Sequence, residues 1–302
     1  VTVNPRATKE ITQAVHESFE HTPSPRLRRI MQSLVTHLHA FVTDVELTED
    51  EWAKAIEILT ATGHITDDKR QEFILWSDTL GVSMLVDALA HPAPDGATES
   101  TILGPFYVPG SPLRPLGSSM AEQEAGTPAH IFGQVRGLDG KPIAGAELDV
   151  WQNGDNRLYA VQDPDAPEFH LRGRFRTDDD GRFSFWAVRP VPYAIPDDGP
   201  VGKMLNATAR HPWRAAHVHL VVKAPGYRSL TTHIFDAESD YLDSDTVFAV
   251  KESLCLSFTE HGADDPGRPE HVTGPWVSLD LPLVLAPSDG EDGVVTDRGR
   301  TH

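Results

Sequence analysis

The spacing of apolar residues changes period once along this 302-residue chain, near residue 94, and that change limits the architecture. Before it the pattern is helical. Thr48-Glu49-Asp50-Glu51 forms a capping box, with Thr48 as N-cap and Glu51 reaching back to it. Trp52, Ala55, Ile56 and Leu59 then recur at helical spacing. Pro23 and Pro25 separate an opening helix, about 8–20, from a second at about 26–43. A long helix is expected over about 67–89, carrying Phe73, Leu75, Leu80, Met84, Leu85 and Leu89.

His91-Pro92-Ala93-Pro94-Asp95-Gly96 reads as a loop, and short strands follow it. Three hairpins are expected. The first joins Ile131–Val135 to Lys141–Trp151 through Asp139-Gly140, and the second joins Arg174–Thr177 to Arg182–Trp186 through Asp178–Gly181. The third joins His217–Lys223 to Ser229–Phe235 through Ala224-Pro225-Gly226-Tyr227. Short strands with turns at such intervals predict a β-sandwich. The expected class is α+β, with a helical domain over 1–93, a sandwich over 94–287 and a flexible Gly- and Asp-rich tail over 288–302.

Charge and composition narrow the function. Lys and Arg number 26 against 45 Asp and Glu, a formal net charge of −19, which argues against a nucleic-acid partner. No apolar run approaches the roughly 18 residues of a membrane span, and the first ten residues lack an apolar signal core, so a cytoplasmic protein is expected. Cys255 is the only cysteine, which excludes an internal disulfide and a thiolate-rich metal site. Any metal would be held by His, Tyr, Asp or Glu.

His217-Val218-His219 is the sharpest chemical signal. Residues two apart on a strand share a face, so both imidazoles can reach one ion, although the same spacing also occurs in surface or core pairs. His37-Leu38-His39 is an internal control: it falls in a helical stretch, where a two-residue offset turns side chains about 200° apart. Tyr159 follows the strand ending at Trp151, and Tyr193 sits in a Pro-rich loop; each is an aromatic anchor or a phenolate ligand. Phenolates suit a hard, highly charged cation, and two imidazoles with two phenolates favour ferric iron over zinc. Asp178-Asp179-Asp180-Gly181 lacks the spacing and closing Glu of a calcium loop and reads as a turn.

These stretches together resemble the intradiol ring-cleavage dioxygenases, in particular their hydroxyquinol branch. The resemblance runs from about residue 10 to about 285. It is carried by Phe73–Gly81, Gly104-Pro105-Phe106-Tyr107, Asp149-Val150-Trp151-Gln152, the Pro192–Gly202 loop and Trp213–His219. It implies Fe(III) held by Tyr159, Tyr193, His217 and His219, with Tyr193 as the displaceable ligand and Arg214 stabilising negative charge on the substrate. Ala215 departs from the family pattern, which has proline there. The same resemblance implies a substrate pocket of Leu75, Asp78, Ile102, Leu103, Gly104, Pro105, Phe106, Ile195, Pro196, His233 and Val247. His233 stands where the catechol branch has glutamine, and Asp78 could accept a hydrogen bond from an additional ring hydroxyl. The implied partners are an aromatic diol or triol, O2, and a second copy joined through the helical domain, with a lipid between. The rival readings are a catechol-cleaving member of relaxed specificity, a non-catalytic binding module of transthyretin-like shape, and a zinc hydrolase, for which no His-Glu-x-x-His motif is present.

Overall fold

A computed structural model describes residues 5–67, 70–121, 125–265, 268–269 and 272–288; beyond Ser288, the expected tail lies outside the described residues. The chain divides into two compact units, Val1–His64 and Ile65–His302. The first contains α1 (Pro5–Ser18), α2 (Pro25–Asp44) and most of α3 (Glu49–Ile65). Ser24 starts α2 by accepting from the Leu27 N–H at 3.3 Å, with Pro25 in the first turn. The expected capping box starts α3: Thr48 N donates to Glu51 Oε2 at 2.9 Å and Glu51 N to Thr48 Oγ1 at 3.3 Å.

The second unit opens with α4 (Glu72–Thr79) and α5 (Val82–Ala90). The single long helix expected here is therefore broken, and its two pieces meet at 76°. Gly81 adopts the left-handed conformation (φ +73°), while its N–H bonds to Asp78 O at 3.0 Å. Leu80-Gly81 is thus a helix stop that the apolar pattern, running straight through it, conceals. Among the described residues no single helix is long and apolar enough to cross a membrane.

The strands are β1 (Pro128–Gly137), β2 (Glu147–Trp151), β3 (Arg172–Arg176), β4 (Arg182–Val188), β5 (Tyr193–Ala194), β6 (Trp213–Arg214), β7 (His217–Lys223) and β8 (Leu230–Asp236). Helix α6 (Pro200–Ala207) lies between β5 and β6 in sequence. The chain ends with β9 (Cys255–Leu256), β10 (Thr259–His261), β11 (Trp276–Asp280) and β12 (Leu283–Leu285). One sheet has the order β3-β2-β7-β8-β9; the other has β10-β11-β1-β12 with β4 also on β1, and β5-β6 form a separate ribbon.

Of the three expected hairpins, β7–β8 pairs along its length, with Val218 opposite Ile234 and His219 opposite His233. The Asp139-Gly140 hairpin closes only beside its turn, where Arg136 pairs antiparallel with Pro142. The Asp139-Gly140 turn links β1 in one sheet to β2 in the other, and Asp178–Gly181 links β3 to β4 across the same gap. Each turn reverses the chain as expected, but the returning strand joins the opposite sheet. Both sheets have an apolar face to cover, and the crossings bring those faces together. Ile131, Val135, Phe185, Leu279 and Leu283 from one sheet pack with Leu148, Val150, Phe175, Val218, Leu220 and Val222 from the other.

Strand β7 is buried on both faces. Val218, Leu220 and Val222 enter the core between the sheets. Val221 faces outward into a second cluster with Leu75, Trp151, Tyr159, Tyr193, Ile195, Val201 and Leu205. Helices α4 and α6 cover that outer face, tied by the Val201 N–H donating to Glu72 Oε1 at 3.0 Å.

Candidate metal centre

The two-residue period of β7 carries His217 and His219 to its outer face, beneath this cover. Their Nε2 atoms are 3.2 Å apart. The loop after β2 delivers Tyr159, whose backbone N–H bonds to Gln162 Oε1, and places its Oη 3.0 Å from His219 Nε2 and 3.3 Å from His217 Nε2. Tyr193 arrives on β5 directly opposite Arg214 on β6. Arg214 Nη1 donates to Tyr193 Oη at 3.3 Å and lies 3.2 Å from His217 Nε2. Tyr159 and Tyr193 meet edge to face, with ring centroids 5.2 Å apart.

The donor atoms pass a simple test for one shared ion. Ligands bonded at about 2.1 Å lie roughly 3.0–3.4 Å apart at octahedral or tetrahedral angles. The Tyr159–His217–His219 triangle has edges of 3.0, 3.2 and 3.3 Å. The tautomers also fit: His217 Nδ1–H donates to Ala215 O at 2.7 Å, which leaves the Nε2 lone pair facing inward. Ala215 therefore serves this role through its backbone, whichever side chain it bears.

Burial sets the protonation states. It holds both imidazoles well below the usual histidine range, with Arg214 adding to the effect on each and His217 to that on His219, so both rings are neutral donors. Burial, with the neighbouring Tyr193, pushes the Tyr159 phenol well above its usual value. A cation at this point would reverse that preference and make the phenolate the stable form. Burial disfavours the Arg214 charge, but Asp245 and the two tyrosines outweigh it and keep the guanidinium firmly protonated. Asp245 binds it twice, to Nε at 3.0 Å and Nη2 at 3.3 Å, and accepts from the Ala249 N–H.

The remaining pocket residues separate into groups. Leu75 and Ile195 pack in the cluster with both tyrosines, and Phe106 stacks on Tyr159 at 4.7 Å. Gly104 is left-handed (φ +77°) and so close to His219 that a Cβ would stand 3.2 Å from its Cε1. Asp78 is buried near Arg214; burial raises its pKa against the opposing effects of Ser83 and Arg214. His233 is fully buried beside His219, and one ring nitrogen from each of His217, His219 and His233 lies within 4.8 Å of the others. Pro105 and Pro196 are half-buried. Val247 and Ile102 pack instead with the core between the sheets, and Leu103 is exposed. Sequence reasoning missed Asp245, which is 31 residues from Arg214, and Arg172, whose Nη2 donates to Phe106 O at 2.6 Å and anchors the ring over Tyr159. Nothing local marks either residue. Their roles exist only once the strands are assembled.

Comparison with known proteins gives this centre its class. The "Dioxygenase" family model matches residues 102–275, and "Catechol dioxygenase N terminus" matches residues 24–98. The chain is 46% identical to the hydroxyquinol 1,2-dioxygenase of Nocardioides simplex over 93% of its length and 96% of that relative's. It is 41% identical to the catechol 1,2-dioxygenase of Candida albicans, covering 82% of this chain and 83% of the relative. The crystal structure of hydroxyquinol 1,2-dioxygenase from Pseudomonas putida DLL-E4 superposes with a TM-score of 0.88 at 49% identity, covering 94% of this chain and 99% of that one. The chain belongs to the intradiol ring-cleavage dioxygenases, an enzyme family that works with non-haem iron.

Proposed function

We propose that this chain opens the ring of hydroxyquinol, 1,2,4-trihydroxybenzene, between its adjacent hydroxyl-bearing carbons. Both atoms of O2 enter the product, 3-hydroxy-cis,cis-muconate, the enol form of maleylacetate. The observation that carries the reading is the convergence of Tyr159 Oη, His217 Nε2 and His219 Nε2 within 3.0–3.3 Å, beside the Tyr193–Arg214 pair. Relatives named for hydroxyquinol, 46% and 49% identical, favour that substrate. The catechol-cleaving relative at 41% supports catechol as the weaker alternative. A zinc hydrolase would need a carboxylate ligand or base, and the donors here are imidazoles and phenols.

Tyr159, Tyr193, His217 and His219 would hold Fe(III), which would supply the Lewis acidity that makes an aromatic diol reactive toward O2. Tyr193 Oη, which accepts a hydrogen bond from Arg214 Nη1 at 3.3 Å, would be the group to take a substrate proton. Arg214, clamped by Asp245, offers a fixed positive charge to the anionic character that grows on the ring. Leu75, Phe106 and Ile195 exclude water from the reacting face. Asp78 would accept the hydrogen bond of the third ring hydroxyl.

The functional division proposed is a helical part, 1–93, and a catalytic part, 94–287, with α4 lending Leu75 and Asp78 to the latter. Leu34, Leu38 and Phe41 on α2, and Val45 just after it, are each about half exposed, which supports a second copy, with lipid in the interface, covering this helix. A cytoplasmic location suits the single free cysteine. The test is oxygen uptake by the iron-loaded protein with hydroxyquinol and catechol side by side. The higher kcat/KM is expected for hydroxyquinol. A preference for catechol would move the chain to the other branch, and failure on both would overturn the reading.

A further inference from the structure

Between α5 and β1, residues 98–101 are laced to the sandwich. Thr98 N donates to Val284 O at 3.0 Å, Thr232 Oγ1 to Glu99 O at 2.8 Å, Lys251 Nζ to Ser100 O at 2.7 Å and Thr101 N to Thr231 O at 2.9 Å. The buried Thr101 hydroxyl shares a hydrogen bond of 2.9 Å with His233 Nδ1. His233 lies directly opposite His219 on β8, while Trp151 lies directly opposite it on β2. The His219 ring thus stands between two cross-strand neighbours. Trp151 stacks on it at 4.7 Å and 12°, and His233 meets it at 4.2 Å and 74°.

The two histidines of β7 are held in different ways. His217 is fixed by its own Nδ1–H, which donates to Ala215 O. His219 Nδ1 has no such protein partner, nor do Trp151 Nε1 and His233 Nε2. Along the row Trp151–His219–His233, the bond between Thr101 and His233 is the one side-chain hydrogen bond to a ring nitrogen other than His219 Nε2 among the described residues. We propose that Thr101 and His233 form a positioning pair for His219: the hydrogen bond sets the His233 ring, and that ring sets the plane of His219 against Trp151. The resemblance puts His233 in the substrate pocket; its anchored Nδ1 and its contact with His219 give it a role before substrate arrives. This inference rests on the reading of His219 as an iron ligand.

Removal of outer partners of ligating histidines typically weakens metal binding about 10–100-fold. Thr101→Val removes the hydroxyl at nearly constant volume, whereas Thr101→Ser keeps it. Thr101→Val should release iron to a competing chelator roughly 10-fold faster or more and shift the visible tyrosinate-to-iron absorption, with Thr101→Ser close to the parent in both. His233→Asn, which keeps a polar atom near the Nδ1 position, should be milder than His233→Leu. Equal iron release and equal spectra for Thr101→Val and Thr101→Ser would overturn the proposal. If Thr101→Val does not fold, the same comparison between His233→Asn and His233→Leu decides it. His219→Ala separates this inference from the reading beneath it. Iron and colour retained in His219→Ala would break the ligand assignment itself, whereas iron lost there with an unchanged Thr101→Val breaks only the positioning role.

Discussion

The chain contains His-x-His in both of its compact units, and the two copies behave in opposite ways. On α2, His37 Nδ1 turns back to Ser33 O of its own helix at 2.7 Å, while His39 Nδ1 reaches Thr12 Oγ1 on α1 at 2.8 Å. On β7, His217 and His219 bring their Nε2 atoms to 3.2 Å. The residues are the same and the spacing is the same. Backbone period separates the cases: a two-residue step turns about 200° around a helix but returns to the same face of a strand. Burial completes the difference, because α2 leaves His37 exposed and His39 only half-buried, where hydration competes with any ion. The β7 pair is 1–2% exposed and held neutral.

The largest break in this comparison comes from His217→Ala or His219→Ala. Either should lose bound iron and turnover together, measured by metal analysis and oxygen uptake, because the remaining donors no longer enclose the ion. Next in size is Asp78→Ala, which asks whether a helix can contribute to a centre built on strands. It should lower kcat/KM for hydroxyquinol by about 1.5–3 kcal/mol, the range for a hydrogen bond to a charged group, and affect catechol much less. An equal loss on both substrates would reduce Asp78 to a packing residue. Gly104→Ala sharpens the geometric point, since it forces a Cβ into the left-handed region and to 3.2 Å from the His219 ring. Thermal unfolding should register a loss of about 1–2 kcal/mol, accompanied by a change in the visible spectrum. The smallest effect belongs to His37→Ala, expected within about 0.5 kcal/mol in stability and with iron content unchanged; a loss of iron there would show that the helical pair participates after all.

The sequence disclosed those parts of the molecule that local rules decide. The capping box at Thr48 and the β7–β8 hairpin depend on neighbours a few residues apart, and both form where expected. The turns at Asp139-Gly140 and Asp178–Gly181 were visible too, but a turn encodes reversal and not which sheet receives the next strand. That choice is made by whichever apolar face remains uncovered. The break at Gly81 was hidden by apolar residues on both sides of it. At the centre, Tyr159, Tyr193, Arg214, His217 and His219 stood out by type and family pattern, and the fold gathers all five. Asp245, Arg172 and Thr101 did not, because an ordinary residue becomes a clamp only through the partner that tertiary structure brings to it.

Strand β7, apolar core on one face and the paired imidazoles of the proposed iron centre on the other, leaves little room for adaptation. A substitution at Val218 or Leu220 disturbs the fold, one at His217 or His219 disturbs the chemistry, and a one-residue shift exchanges the two faces. On the proposed function, variation in which aromatic rings are accepted belongs to the covering pieces: α4, the 102–106 loop and the Tyr193–Pro196 segment. Those pieces are where a mutational library for altered ring preference should be built, with β7 left as it stands.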